Sequence, residues 1–399
     1  MEQEKRYSVF VIDSDTDTLA LFKAHFQNCG HFVHYCQSAV EAFGVMQAVY
    51  PDICIVRRQL VDMAGCVALA RIASRFPHAI RIISGNEERE AELMRHVATG
   101  VAHRHICFPW EKNGVAGVLN NDLATRNRLS VKDCWRFLER ENLVPIFPEV
   151  VTRVDEIVRR EDFNLGELSM VVASDPGIAA IVLQIVNSSA FPKRAVIGDI
   201  GHALSYLGVD RLREILLFIC AKDAIPPEPA CLDQARLVAQ HSFATSRLAA
   251  KVAMIICPGR EKEAATAALL HDIGKLVFFS VGCNRYLDSL AYREAFSVSS
   301  SQVESDEFGI SHSELGSSLL LWWNLPMSLV AATANHNLPL TLLSGVSRCV
   351  AVADRCMLEA LYGEDAPTDL DIISNMFPVN DWRNKAISLL DETENPLTN

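Results

Sequence analysis

The spacing of apolar residues changes near residue 143, and this change constrains the fold more than any other feature of the sequence. Before it, short apolar runs alternate with amphipathic stretches. The runs are Val9–Ile12, Phe32–Tyr35, Ile53–Val56, Ile80–Ile83 and His105–Phe108. After it, apolar residues recur about every 3.6 positions. The runs predict a doubly wound, five-stranded parallel sheet in an α/β domain, and the later period predicts an all-α domain.

This division sets the expected domain boundaries. Pro145 and Pro148 interrupt the pattern where the second period begins, as helix breakers do at a domain start. We expect an α/β domain at residues 1–124, a connecting helix at 125–142, a helical domain at 143–340 and a helical extension completing the bundle at 341–399.

Composition narrows the classes of partner. The net charge of −12 argues against a broad attraction to nucleic acid or anionic lipid, so we expect no direct DNA binding. The longest apolar stretch, LLLWWNLPMSLVAA, is interrupted by Asn324 and Pro326, which argues against a membrane span. The charged start MEQEKRYS does not resemble a secretory signal.

The cysteines indicate a compartment. The chain has 12 of them and no CxxC pair, and they stand singly within apolar runs. We interpret them as small buried thiols in a cytoplasmic protein, and we expect neither a disulfide framework nor a zinc ribbon.

The third apolar run ends in two arginines, Arg57 and Arg58, at the point where open α/β sheets place their chemistry. The segments VFVIDSD, PDICIVRRQLVDMAG, RIISGNEE and HICFPW resemble the strands and loops of receiver domains of two-component response regulators. The positions that correspond to the receiver phosphorylation site are, in chain order, Asp13, Ser14, Asp15, Arg57, Ser84 and Phe108.

The resemblance implies a degenerate site, or pseudo-receiver. Arg57 replaces the phosphoacceptor aspartate, Phe108 replaces the family's lysine, and Ser14 replaces the second acid of the pair. Phosphorylation needs a carboxylate nucleophile, carboxylates for Mg²⁺ and a cation for the phosphate. Asp52 lies at the wrong end of its strand, and Asp62 is out of register. We expect no cofactor here, and Arg57 either pairs with Asp13 or extends to solvent.

The helical part places polar residues on apolar faces. His241, His271, Asp272, His312 and Asp354 each have apolar residues at helical neighbour spacings or follow an apolar helical run. A carboxylate in such a place costs several kcal/mol unless it is paired or binds a cation. Imidazoles and carboxylates that converge from several helices are how bundles form metal sites.

These residues match the H…HD…D pattern of the HD superfamily of metal-dependent phosphohydrolases, and HDIGK matches its central motif. The segments LVPIFPEV, SDPGIAAIVLQIVNSSAF, ALSYLGVDRLREILL, ALLHDIGKL and ISHSELGSSLLLWWNLP resemble the HDOD branch more strongly. The metal ligands that the resemblance implies are His241, His271, Asp272 and Asp354, with His312 and His336 as additional ligands. Lys275 would contact a substrate phosphate only in an enzyme.

A ligand set without sulfur suits Mn²⁺, Fe²⁺, Ni²⁺, Zn²⁺ or Mg²⁺ without selecting one. Asp272 would bridge two ions. The alternative is a metal-free, hydrogen-bonded His–Asp cluster. The sequence has Asn335-His336-Asn337 where cyclic di-GMP phosphodiesterases of the superfamily have paired histidines and an acid, and no GYP follows. Hydrolysis of cyclic di-GMP is therefore not expected.

The combination resembles bacterial receiver–HDOD signalling proteins. It implies a non-catalytic or weakly catalytic regulator that acts through protein contacts and needs no phosphorylation. A metal-dependent phosphohydrolase is the alternative, and binding of a nucleotide or cyclic dinucleotide without hydrolysis is a third reading. The sequence leaves a homodimer open.

Overall fold

The computed structural model describes residues 6–27, 29–108, 115–130, 134–138, 144–160, 162–188, 196–222, 229–296, 299–363 and 369–393. The chain divides into two compact units. The first comprises Met1–Asn142 with Gln184–Ala195, and the second comprises Leu143–Leu183 with Val196–Asn399. The pattern of apolar residues does not indicate that the helical residues Gln184–Asn187 group with the first unit, because they continue the period of the helix that contains them.

The first unit contains the predicted parallel sheet. Its strands are β1 (Ser8–Ile12), β2 (Phe32–Cys36), β3 (Ile53–Arg57), β4 (Ile80–Asn86) and β5 (Arg104–Phe108). All pairings are parallel, in the order β2-β1-β3-β4-β5. This is a doubly wound order, whose switch point lies between β1 and β3, and the predicted fold class is confirmed.

Burial explains why the central strands have no polar alternation. The side chains of Ile53–Val56 are fully buried, whereas the edge strand Phe32–Cys36 is largely half-exposed. A central parallel strand is covered on both faces, so every position favours an apolar residue.

Helices follow the strands. They are α1 (Thr16–Phe26), α2 (Ala39–Val45), α3 (Gly65–Arg75), α4 (Glu90–Ala98), α5 (Val115–Ser130) and α6 (Trp135–Leu138). In the expected connecting helix at 125–142, the structure describes the end of α5 up to Ser130 and the short helix α6, whose Trp135 is buried. Residues 131–133 between them lie outside the described part of the chain.

The second unit is helical throughout its described residues. Its helices are α7 (Pro148–Val158), α8 (Leu165–Ala173), α9 (Pro176–Asn187), α10 (Ile200–Leu207), α11 (Val209–Lys222), α12 (Pro229–Ile256), α13 (Glu261–Leu270), α14 (Ile273–Phe296), α15 (Ser300–Phe308), α16 (His312–Trp322), α17 (Met327–Asn335), α18 (Gly345–Tyr362) and α19 (Val379–Thr393). The last four residues of α9 cluster with the first unit. Helix α12 packs against α13 and α18, and α17 packs against α13, α16 and α18.

The end of the chain packs onto this unit. Helix α19 contacts α12 and α18, and a 3-10 turn at Leu370–Ile373 precedes it. The sequence pattern predicts helix–turn–helix after residue 362, and a 3-10 turn takes the place of the first helix. Its Leu370 is buried, so this short turn still contributes to the core.

One helical stretch, Glu261–Arg293, is long and apolar enough by length and composition to cross a membrane, and 78% of its window is buried inside the protein. It is not the stretch that the sequence pattern singles out. Core helices pass the same test, and α13 and α14 lie among α12, α16 and α17.

The expectation of unpaired thiols needs one correction. Cys231 at the start of α12 and Cys283 in α14 form a disulfide, with their Cα atoms 6.0 Å apart. The two residues are 52 positions apart in sequence, and only the packing of α12 against α14 brings them together. Nine other cysteines in the part of the chain that the structure describes form no disulfide.

Candidate functional site

The degenerate receiver site lies at the switch point of the sheet. Asp13 directly follows β1, and Arg57 is the last residue of β3. The register pairs Ile12 with Val56 and Arg57 with Ser84. The polar ends of three neighbouring strands therefore meet at one edge, as parallel pairing requires.

Arg57 fills this site. Its Nη1 donates to Asp13 Oδ2 at 3.1 Å and to Thr18 Oγ1 at 3.0 Å. Its guanidinium carbon lies 5.4 Å from the centre of the Phe108 ring. The ion pair with Asp13 that the sequence suggested is present. Only 21% of the Arg57 side chain is exposed, so it does not simply extend to solvent.

The acids beside Arg57 have different roles. Asp13 is buried, and burial raises the pKa of its carboxyl, although the Asp15 amide and Arg57 act in the opposite direction. Asp15 is half-exposed and caps α1, because its Oδ1 accepts from the amides of Asp17 and Thr18. One acid thus supplies the buried charge, and the other begins a helix.

The remaining acids near β3 do not replace the missing acceptor. Asp52 pairs with Arg126 at 2.9 Å, at the amino end of the strand. Asp62 accepts hydrogen bonds from the amides of Ala39 and Val40 at the start of α2. Both observations agree with the sequence argument that neither acid is in register.

Two hydroxyls complete the degenerate site. Ser14 Oγ donates to the Gln37 carbonyl and accepts from the Val61 amide, so it ties two loops together. Ser84 is buried, and its Oγ has no hydrogen-bond partner among the described residues.

Six predicted ligands converge in the second unit, and they come from five helices or helix ends. His241 lies within α12, His271 and Asp272 follow α13, His312 begins α16, His336 follows α17, and Asp354 lies within α18. The packing of these helices brings their side chains together.

The ligand atoms form two overlapping groups. His241, His271 and Asp272 form one, and Asp272, His312 and His336 form the other, with the ligand atoms of each group within 4.8 Å of one another. Asp354 Oδ1 lies 2.9 Å from His241 Nε2 and 3.5 Å from His271 Nε2. Asp272 belongs to both groups, which is the position of a bridging ligand.

In three histidines, hydrogen bonds determine which ring nitrogen carries the hydrogen. His271 Nδ1 is 2.6 Å from the Ala268 carbonyl oxygen, and His336 Nδ1 is 2.9 Å from the Thr333 carbonyl oxygen. His312 Nδ1 is 2.6 Å from a Glu304 carboxylate oxygen. Because these oxygens only accept, each Nδ1 must donate its hydrogen. In the neutral rings, Nε2 then carries a lone pair.

Those lone pairs point at one another and at carboxylates. His312 Nε2 and His336 Nε2 are 3.4 Å apart. His271 Nε2 and Asp272 Oδ1 are buried and have no hydrogen-bond partner among the described residues. Electron pairs that face each other repel unless a proton or a cation lies between them. The residues therefore fit a divalent cation, and outer groups orient the rings as they do in metal sites.

The charges of the site lead to the same conclusion. Burial would raise the pKa of Asp354, but the contact with His241 Nε2 and the nearby imidazole of His271 hold it well below its usual range. Burial likewise opposes ionisation of Asp272, and His271 and Lys275 outweigh it and lower the pKa. Buried ionised carboxylates need compensating positive charge.

The histidines respond in opposite directions. Burial alone would lower the pKa of His271, but Asp272 and Asp354 raise it. Burial and the neighbouring His271 lower the pKa of His336 to about 3. The acids beside His271 thus favour its protonated form, which would put a positive charge where a cation would otherwise lie, whereas His336 stays neutral.

Lys275 reaches the same carboxylate. Its Nζ donates to Asp272 Oδ2 at 2.6 Å, and 24% of its side chain is exposed. Burial would lower the pKa of the lysine, and the Asp272 carboxylate outweighs it and raises the pKa. The lysine therefore supplies one fixed positive charge at the more open side of the site.

Sequence reasoning missed the support of His312. Glu304 in α15 is buried, and its Oε2 accepts from both the backbone amide and Nδ1 of His312. Tyr286 of α14 donates to the other oxygen of Glu304 at 3.0 Å. Glu304 stands in the polar stretch SSSQVESDEFG, which has no apolar periodicity that would mark one acid as buried.

Comparisons with known proteins identify one domain family in this chain. The family model of the HDOD domain matches residues 144–339. An uncharacterized protein from Treponema pallidum (strain Nichols) is 21% identical over 205 residues, which are 50% of this chain and 39% of that protein. The chain thus spans about two-fifths of the length of the curated relative it matches.

Solved structures with related folds include two bacterial proteins. A virulence factor from Campylobacter jejuni is 16% identical, covers 62% of this chain and 95% of its own, and has a TM-score of 0.50. The response regulator MmoQ from Methylococcus capsulatus strain Bath is 18% identical, covers 61% of this chain and 92% of its own, and has a TM-score of 0.48. Residues 144–339 of this chain belong to the HDOD family, and a receiver-type parallel sheet precedes them in the sequence.

Proposed function

We propose that this protein is a cytoplasmic signalling regulator whose receiver-like domain works without phosphorylation and whose output is contact with a protein partner. The ion pair of Arg57 with Asp13, at 3.1 Å, carries the proposal. It places a guanidinium where phosphoryl chemistry needs a carboxylate nucleophile, and its charge opposes a Mg²⁺ ion there. A receiver-like domain whose site is closed by this ion pair keeps one conformation there, because no phosphoryl group can be added to change it. We also propose that the receiver-like domain comprises residues 1–124, the connection 125–142, the HDOD domain 143–340 and the helical extension 341–399.

Phosphorylation chemistry provides the test. The full chain is treated with acetyl phosphate and Mg²⁺, and separately with beryllium fluoride as a phosphoryl mimic. Intact mass and hydrogen exchange of peptides from β1, β3 and β5 are then measured, with a phosphorylatable response regulator as the positive control. We expect no added phosphoryl group and no change in exchange. A stoichiometric aspartyl phosphate in this chain would refute the proposal.

We further propose that His241, His271, Asp272, Asp354, His312 and His336 hold one or two divalent cations, among Mn²⁺, Fe²⁺, Ni²⁺, Zn²⁺ and Mg²⁺. The unpartnered His271 Nε2 and Asp272 Oδ1 support this. Such an ion, when bound, would polarise a phosphoryl oxygen and acidify a water molecule. The chain's own residues orient the ligands through Glu304 and the carbonyl groups of Ala268 and Thr333.

Metal analysis tests this assignment. The chain is stripped of metal with a chelator and reloaded with Mn²⁺, and the bound manganese per chain is measured by inductively coupled plasma mass spectrometry. We expect Asp272→Asn to lose most of the metal, because Asp272 belongs to both ligand groups. His202→Gln is the matched control, since His202 is exposed and lies outside the groups. Equal metal content in the two variants would contradict the assignment.

A metal-dependent phosphohydrolase is the second candidate. It is favoured by the shared ligand Asp272 and by the partly exposed Lys275 beside it, which could contact a substrate phosphate. A screen of phosphomonoesters, phosphodiesters and nucleotides with the metal-loaded chain and His271→Ala separates the candidates. Turnover that disappears in His271→Ala would establish the enzyme. Calorimetry that detects a nucleotide or cyclic dinucleotide bound but not hydrolysed would indicate a sensor.

A further inference from the structure

A second set of metal-ligand side chains lies in the first unit, where α4 begins beside β5. Glu90, His105 and Cys107 each offer a ligand atom, and these atoms all lie within 4.8 Å of one another. His105 and Cys107 are two positions apart on β5, so both side chains lie on the same side of the strand. The receiver resemblance assigns no role to any of the three.

A chain of hydrogen bonds places the proton of His105. Ser188 Oγ donates its hydrogen to the Ile185 carbonyl oxygen at 2.7 Å. Since that hydroxyl hydrogen is already used, Ser188 Oγ can only accept from His105 Nδ1, which lies 2.9 Å away. The hydrogen of neutral His105 is therefore on Nδ1, and Nε2 carries the lone pair.

That lone pair is buried and unmatched. His105 is 1% exposed, and its Nε2 has no hydrogen-bond partner among the described residues. Glu90 Oε1 lies 3.7 Å from it, which is too long for a hydrogen bond. A lone pair that faces a carboxylate in a buried place is unfavourable, and a cation between them would bind to both.

We propose that Glu90, His105 and Cys107 bind a divalent ion of the zinc class. Imidazole nitrogen, thiolate sulfur and carboxylate oxygen are the donors that Zn²⁺ takes, and three protein ligands leave a fourth position for water or a partner's side chain. Ligand atoms around tetrahedral zinc are about 3.3 to 3.8 Å apart, so the three groups need to close by about 1.5 Å at most. The ion would join the first turn of α4 to β5.

Cobalt distinguishes this site from the histidine–aspartate site of the second unit. The full chain, chelated and kept under an inert atmosphere so that the Cys231–Cys283 disulfide stays intact, is titrated with Co²⁺ and then with Zn²⁺. A thiolate bound to Co²⁺ gives a near-ultraviolet charge-transfer band, and the ligands of the second unit include no sulfur. We expect one such band per chain, and we expect Zn²⁺ to remove it.

Variants assign the band. Cys107→Ser should abolish it, and Cys66→Ser, a partly exposed cysteine in α3 outside the group, should retain it. Glu90→Gln should weaken the apparent Co²⁺ affinity at least about tenfold, and His105→Gln should abolish the band if Cys107→Ser does not fold. The absence of a band in the parent chain, or a band that Cys107→Ser or His105→Gln retains, would overturn the proposal.

Discussion

A hydrogen bond at one ring nitrogen decides what the other nitrogen of a buried histidine can do. Carbonyl oxygens hold the Nδ1 hydrogens of His271 and His336, and a carboxylate holds that of His312. In the neutral rings, each Nε2 then carries a lone pair and can act as a ligand. A charged residue such as Arg57 acts differently, because it supplies a positive charge that no change of tautomer removes.

The Arg57–Asp13 pair yields a prediction that depends on pH. Arg57→Gln removes the positive charge beside buried Asp13 and should lower the local free energy of unfolding by about 2 kcal/mol near neutral pH. Burial already raises the pKa of Asp13 above 3.8, and the variant raises it further. A folded carboxyl with a raised pKa holds its proton better than the unfolded one. The free energy of unfolding therefore falls as pH rises from the unfolded pKa of Asp13 through its folded pKa. The loss caused by Arg57→Gln should therefore grow from acid to neutral pH.

Hydrogen exchange of peptides from β1 and β3 measures this effect. Arg58→Gln is the matched control, because Arg58 pairs with Glu92 at a partly exposed position, where such a pair contributes about 0 to 1 kcal/mol. Equal losses in the two variants at every pH would contradict a special role for Arg57.

His336 yields a second prediction, for the chain without metal. Its folded pKa is lowered from 6.5 to about 3, so the unfolded chain binds a proton that the folded chain does not. The free energy of unfolding should fall as pH decreases below about 6.5, by up to about 2 kcal/mol at about pH 5. His336→Gln should flatten this part of the profile in urea titrations, and His202→Gln should not. An unchanged slope in His336→Gln would show that His336 is protonated in the folded state.

At the scale of helices and strands, the ends of helices bring together the candidate metal ligands. His271 and His336 follow the last turns of α13 and α17, and His312 is the first residue of α16. A capping box at Ser311 and Glu314 begins α16 and so sets the position of His312. Close approach of backbones then matters. A β-carbon on Gly274 would lie 2.1 Å from the His312 carbonyl oxygen.

Gly274→Ala is therefore predicted to damage both packing and metal binding. The backbone of α16 must shift to accept the methyl group, which should cost about 2 to 3 kcal/mol and move His312 from the second ligand group. Gly201→Ala is the matched control in the same unit, since its β-carbon would meet side-chain atoms no nearer than 3.5 Å. Chemical denaturation and Mn²⁺ content measure the two effects, and a Gly274→Ala chain that keeps both would contradict the prediction.

At the scale of the whole molecule, we expect binding of a metal to stabilise the folded second unit. A ligand present at one hundred times its dissociation constant stabilises the state that binds it by about 2.7 kcal/mol. Mn²⁺ prefers oxygen and nitrogen ligands, so its effect should be confined to the second unit.

Hydrogen exchange with and without Mn²⁺ tests this coupling across the chain. We expect slower exchange in peptides from α12, α13, α16, α17 and α18, and no change in the strands of the sheet. Asp272→Asn should remove the effect, and His202→Gln should keep it. Protection of the sheet alone would place the bound metal outside the histidine–aspartate site.

The sequence by itself determined the class of both units, and it singled out the polar residues whose side chains converge in the second unit. An apolar run with no polar alternation needs a strand covered on both faces, and polar residues on an apolar helix face need partners. Each of these requirements concerns a single strand or helix, so the order of apolar and polar residues along the chain is enough to predict it. Five strands in the doubly wound order and a helical second unit confirm the predicted classes.

Only the tertiary structure decided which distant groups meet. The Cys231–Cys283 disulfide, the support of His312 by Glu304 and Tyr286, and the group at His105 all join separate elements. No spacing in the chain reports such contacts, because they depend on how helices pack and where strands end. The direction of a lone pair depends on them too, since a ring nitrogen becomes a ligand only after its partner nitrogen has found an acceptor.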